Sequence, residues 1–258
     1  MKIKEQLTSK FKIKDLHKAS YVPGTSIEQA SGRNSLSQEQ CIENITLKRG
    51  EVLKESVPYQ SLVGSLMYLA VCTRPDIVHS VNYLSQFKNC YTLEHWEAAK
   101  RILRYLQGSK QLKLEFSTND HTLGIHWAGG GGGGNKDRKS YSGFVFILVG
   151  EIIEWESRRK KTVALSSTNA EYMALSAATK EYIFVQAFMG EVLGKISCPT
   201  STYPVFHNRS EHIDIRHHFI RDYQQNQIKV EYCATENMWL MGLGKTKHER
   251  FLVGLELK

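Results

Sequence analysis

Gly143-Phe144-Val145-Phe146-Ile147-Leu148-Val149, then Gly150-Glu151, then Ile152-Ile153-Glu154-Trp155 reads as a β-rich run, a turn and a second apolar run. β-branched and aromatic residues fill both arms and a glycine separates them, which predicts a β-hairpin. A little further on, Thr168-Asn169-Ala170-Glu171 has the spacing of a capping box, so a helix is predicted from Thr168 to about Leu193, just before Gly194. Strands that run directly into a long helix make this part of the chain α/β.

Working outward, Leu112-Lys113-Leu114-Glu115-Phe116 alternates as a strand does. On the far side the sequence predicts a strand over Tyr203–Phe206, a helix from about Ile213 to Asn226 and a strand from Ile228 to Cys233. A meander first and alternation afterwards predict a mixed sheet covered by helices. Upstream the period lengthens. Leu62, Val63, Leu66, Met67 and Ala70 recur at helical spacing, and Thr73-Arg74-Pro75-Asp76 reads as a cap, a first-turn proline and a capping acid. A second helix then turns Ile77, Val78, Val81 and Leu84 inward. A third begins after Thr92, shows Trp96, Ala99, Leu103 and Leu106 on one face, and stops at Gly108. The first part, to about Val57, is polar, and Gly24 to Gln40 reads as loop.

With 41% hydrophobic and 23% charged residues over 258 positions, the chain has enough apolar matter for a real core. Its formal charge of +8 favours a polyanionic partner such as nucleic acid. Five scattered cysteines with no C-x-x-C pair argue against zinc or a disulfide framework and point to a reducing intracellular compartment. No apolar run approaches the roughly 18 residues of a membrane span, so no membrane partner is expected.

Particular blocks carry a resemblance. Gly64-Ser65-Leu66-Met67-Tyr68, Cys72-Thr73-Arg74-Pro75-Asp76-Ile77, His95-Trp96, Lys100 through Gly108, Trp127-Ala128-Gly129, Asp137-Arg138-Lys139-Ser140, Ser166-Ser167-Thr168 with Ala170-Glu171-Tyr172, and His212-Ile213-Asp214 follow one another in order. The chain so resembles the copia-type retrotransposon Pol polyprotein over nearly its whole length. The resemblance implies a mostly helical reverse transcriptase remnant, thumb- or connection-like, over residues 1–110. Over residues 111–258 it implies a ribonuclease H-like domain with internal deletions, built on a mixed five-stranded sheet with flanking helices. No Tyr-x-Asp-Asp occurs, so polymerisation is not expected.

The family's ribonuclease H cleaves RNA in RNA/DNA hybrids with two Mg2+ or Mn2+ ions held by four acids, because hard cations need converging oxygen ligands. Carried over residue by residue, one acid survives, Glu171. The first position reads His126, the third reads His207 before Asn208, and Thr235-Glu236-Asn237 leads into Met238-Trp239 with no acid in the fourth place. Gly129 to Gly134 follows the first of these sites and reads as flexible linker, since it lacks the Gly-Lys-Ser/Thr ending of a phosphate loop. Hydrolysis is therefore expected to be lost or severely weakened, with Mg2+ not held productively.

Each residue has a second reading. Glu171 doubles as a capping acid, Asp137, Asp214 and Glu236 are poor substitutes, and two imidazoles with one carboxylate would suit a transition metal better than magnesium. The cluster Arg158, Arg159, Lys160 and Lys161, with Arg101, Arg104 and Lys110, either tracks a nucleic-acid backbone or lines a solvated surface.

Overall fold

The computed structural model describes residues 2–15, 17–47, 58–117, 123–129, 139, 141–148, 151–193, 200–202 and 229–231. After helix α1 (Lys2–Lys10), strands β1 (Tyr21–Val22), β2 (Thr25–Ala30) and β3 (Arg33–Ser37) form an antiparallel meander. The loop expected over Gly24–Gln40 is thus largely strand. Pro23-Gly24 makes the first turn, with Gly24 at φ 76°, and Ser31-Gly32 makes the second, with Gly32 at φ 78°. Both glycines occupy the left-handed region that other residues avoid. β2 and β3 are mostly polar, and only two of their eleven residues are buried, so no apolar alternation announces them.

Helices α2 (Glu39–Leu47), α3 (Tyr59–Cys72), α4 (Val78–Ser85) and α5 (Leu93–Gly108) follow. The last three lie where the apolar spacing predicts, and Leu62, Val63, Leu66, Ala70, Val81, Leu84, Ala99, Leu103 and Leu106 fill one core. Tyr59 fixes α3 to α4 by donating its hydroxyl to the Leu84 carbonyl at 2.8 Å. The segment between α3 and α4 departs from expectation. Pro75–Ile77 is a 3₁₀ turn with no side-chain cap, and Asp76 is not a capping acid. Its carboxylate accepts from Arg74 Nη2 at 2.7 Å, Arg74 Nε at 3.0 Å and Tyr105 Oη at 2.7 Å. The Arg74 and Asp76 side chains are 1% and 0% exposed. Arg74 also donates to the carbonyl and hydroxyl of Ser109, which ties the turn to the end of α5.

Strand β4 (Leu114–Ser117) leaves α5 and pairs antiparallel with β3, giving a four-stranded sheet of order β1-β2-β3-β4. A second sheet holds β5 (Leu123–Gly129), β6 (Tyr141–Leu148), β7 (Glu151–Arg159), β8 (Thr200–Thr202) and β9 (Lys229–Glu231), in the order β7-β6-β5-β8-β9. β5, β6 and β7 are antiparallel neighbours, whereas β8 runs parallel to both β5 and β9. The fold class is mixed α/β. The predicted hairpin is β6–β7. The strand expected over 203–206 falls outside the described residues; a strand is described just before it, at Thr200–Thr202, and within the stretch expected as strand over Ile228–Cys233 one spans Lys229–Glu231. The helix expected over Ile213–Asn226 falls outside the described residues.

Trp155 joins the parts. Its ring packs against both the helical core and the small cluster of Leu114, Val145 and Ile152, and its Nε1 donates to the Ala70 carbonyl at 2.7 Å.

Candidate functional site

β5 is the middle strand of the five-stranded sheet, in register with β6 on one side and β8 on the other: His126 pairs with Val145 and with Thr202. Helix α6 (Ser167–Leu193) lies across β5 and β6. Ala170, Ala174 and Ala178, four residues apart, are buried on its inner face, and their small side chains permit close approach to the sheet. Leu175, Tyr182 and Val185 complete the buried stripe.

Glu171 stands half-buried in the second turn of this helix. The cap is made two residues earlier than the sequence suggests. Ser166 Oγ accepts from the Asn169 N–H at 3.0 Å and the Ser166 carbonyl from the Ala170 N–H at 3.0 Å, so the helix begins at Ser167 rather than Thr168. Glu171 is consequently not the capping acid that the Thr-x-x-Glu spacing implies. His207, Asp137, Asp214 and Glu236 lie outside the described residues, as do Gly130 to Gly134. Among the described residues, no group of three or more His, Cys, Asp and Glu side chains is arranged to hold a metal ion.

The four-residue basic cluster divides into separate roles. Arg158 and Lys161 are exposed. Arg159 donates from Nη1 to Gln86 Oε1 at 2.8 Å, reaching back to the end of α4. Lys160 is buried and donates to the Ala170 carbonyl at 2.5 Å, so its ammonium holds the start of α6 against β7. On α5, Arg101 and Arg104 are exposed, whereas Lys110 is committed to Glu39 and Glu43.

A second group of charges was not singled out in the sequence. Glu154 and Glu156 on β7 and Glu181 on α6 line a cavity of about 300 Å3, whose other walls are Met67, Val71, Val78, Asn82, Phe144, Trp155 and Ser157. Burial and the neighbouring Glu181 push the Glu154 carboxyl up to about 7. Burial also raises Glu156, with Arg158 opposing and Glu181 adding to the rise. Glu154 and Glu156, on either side of Trp155 and so on one face of β7, are the trace of this site in the sequence, legible only once α6 is known to bring the third acid.

No protein-family model matches the chain. It is 36% identical to the "Retrovirus-related Pol polyprotein from transposon TNT 1-94" of Nicotiana tabacum, an alignment covering 91% of this chain and 21% of that protein. It is 30% identical to the "Putative transposon Ty5-1 protein YCL074W" of Saccharomyces cerevisiae over 70% of this chain and 67% of that one. The chain belongs to the copia-like retrotransposon Pol family. A further relative, 44% identical over 51% of this chain and 93% of its own, is the "Secreted RxLR effector protein 161" of Plasmopara viticola. The Pol-derived chain spans about a fifth of the length of the tobacco polyprotein. Among its described residues no helix is long and apolar enough to cross a membrane.

Proposed function

We propose that this Pol-derived chain joins a reverse transcriptase remnant, over residues 1–110, to a ribonuclease H-like domain in which hydrolysis of RNA in RNA/DNA hybrids is lost or severely weakened. The observation that carries the reading is α6 laid across the middle strand of a mixed five-stranded sheet, with Glu171 near the start of that helix. A mixed five-stranded sheet with covering helices is what the resemblance implies for the nuclease.

The loss follows from the donor set. Two magnesium ions would need several converging carboxylates. Of the four positions at which the family carries acids, this chain offers one carboxylate, Glu171, beside His126 and His207. That set does not fit a pair of hard cations, and no catalytic step is derived through them. What remains chemically is a basic surface. Arg158 and Lys161 are exposed beside α6, which favours a second reading, sequence-independent binding of nucleic acid without cleavage.

Incubation of the folded protein with a labelled RNA/DNA hybrid in Mg2+ or Mn2+, beside the Glu171→Gln variant, tests the first reading. No cleavage above the variant is expected. Cleavage abolished by Glu171→Gln would overturn the loss, because other carboxylates would then have to complete the site.

A further inference from the structure

The cavity lined by Glu154, Glu156 and Glu181 is not explained by any nuclease role. It opens between α3, α4, β7 and α6, and Glu171 is not among the residues that line it. Three acids face it on a chain whose formal charge is +8, so its sign is opposite to that of the protein as a whole. The apolar walls do not end at its rim. Val71, which lines it, is 63% exposed. On α6, Phe184 and Phe188 follow Glu181 at three and seven residues, hence along one helix face, and they are 63% and 54% exposed. Their rings stack with centroids 6.4 Å apart. Large exposed aromatic side chains beside a polar cavity are the mark of an interaction surface.

We propose that this groove binds a peptide segment of a partner protein that carries a lysine or arginine close to a large apolar side chain. The cationic head sits among Glu154, Glu156 and Glu181 with its aliphatic stem against Met67, Val71 and Trp155, and the apolar side chain packs on Phe184 and Phe188. Dimensions favour a peptide over a lone small cation. Seven residues of helix from Glu181 to Phe188 advance about 10 Å, a span that an extended peptide covers in about three residues. Charge complementarity sets the chemistry of the occupant. Burial and like charge leave the Glu154 carboxyl near 7, and an incoming cation would stabilise its ionised form. The charged groups facing it are Glu181 from α6 and Glu156 on its own strand, with Arg158 beside Glu156; α3 and α4 contribute Met67, Val71, Val78 and Asn82, which carry no charge.

The test uses the full chain and a fluorescein-labelled peptide, Ala-Leu-Lys-Ala-Ala-Phe-Ala, read by polarisation, with versions carrying Glu in place of Lys or Ala in place of Phe. Binding by the first peptide is expected, weakened by about tenfold or more in the Glu154→Gln, Glu181→Gln double variant. A loss of about fivefold is expected in Phe184→Ser with Phe188→Ser. These positions are exposed or half-exposed, and circular dichroism verifies that the variants fold. Affinity should also fall from pH 8 to pH 6 as Glu154 takes up a proton. Equal binding of the Lys and Glu peptides, or unchanged binding in both variants, would overturn the proposal. So would competition by free lysine at the peptide's own affinity, which would make this a small-cation pocket. Concentration-dependent dimerisation abolished by Phe184→Ser with Phe188→Ser would overturn it in favour of a second copy as the occupant.

Discussion

Replacing Asp76 separates two accounts of the Thr73-Arg74-Pro75-Asp76 turn. If Asp76 were a capping acid, Asp76→Ala would remove one exposed cap bond, at a cost of about 0.5–2 kcal/mol. In the structure its carboxylate instead neutralises a buried guanidinium and accepts the Tyr105 hydroxyl. Burial opposes the Arg74 charge, yet the bonds to Asp76 outweigh it and hold the guanidinium above its ordinary value. Burial, with Asp76 alongside, pushes the Tyr105 hydroxyl far up, so it remains a donor throughout the neutral range. Asp76→Ala therefore leaves the buried Arg74 cation without its counter-ion and takes an acceptor from the Tyr105 hydroxyl, and the expected loss is about 3–5 kcal/mol. A folded domain has only about 5–15 kcal/mol in total. Urea denaturation followed by circular dichroism should show the midpoint falling by about 1–2 M at unchanged slope. The double variant Arg74→Met, Asp76→Leu removes both charges, and most of the lost stability should return because an apolar pair carries no desolvation penalty. A single-variant loss below about 1 kcal/mol, or a double variant as unstable as the single, would refute the buried-pair account.

Glu154 gives a pH-dependent counterpart. Its folded value near 7 lies above the ordinary 4.5, so between those pH values the folded protein holds more protons than the unfolded chain and stability falls as pH rises. Glu154→Gln should therefore stabilise the protein at pH 8, by on the order of 1 kcal/mol after allowance for solvent screening, seen as a higher melting temperature, and leave it unchanged near pH 4. The basic cluster should split in the same way that its geometry does. Lys160→Ala should destabilise the protein by about 1–3 kcal/mol through loss of the buried bond to Ala170, seen in the melting temperature. Arg158→Ala and Lys161→Ala should leave melting unchanged and lower both the affinity for single-stranded nucleic acid and its salt dependence, measured by filter binding.

What the sequence reveals depends on whether a segment is held by an apolar period. α3, α4 and α5 were legible because Leu62, Leu66, Val81, Leu84, Ala99 and Leu103 repeat at helical spacing and all face one core. The β6–β7 hairpin was legible because Phe144, Val145, Phe146 and Ile152 fill its buried positions. β2 and β3 were not, since their pairing rests on backbone hydrogen bonds between mostly polar residues that are largely exposed or half-exposed, with Ile27 opposite Leu36 as the apolar exception. Only the glycine turns hinted at them. Caps misled twice for one reason: Asp76 and Glu171 have the right spacing, but tertiary packing gave the first a buried cation and Ser166 took the work expected of the Thr168 box. Among the candidate acids, Glu171 stands out in the sequence by its motif, whereas Glu154, Glu156 and Glu181 meet only where β7 and α6 come together, which no local pattern encodes.

The pairing of β3 with β4 bears on how the chain assembles. Leu36 and Leu114 are register partners, yet the whole helical stretch α2 to α5 lies between them in sequence. Closing that ladder costs loop entropy, which is smallest when the intervening chain is already compact. The helices have local contacts and no such debt, so they are expected to condense first and bring Arg33–Leu36 and Leu114–Ser117 within reach of each other. The four-stranded sheet then acts as a clasp. Opening it would release both ends of the helical unit at once, and amide exchange in β4 and in α5 should report a single cooperative unit.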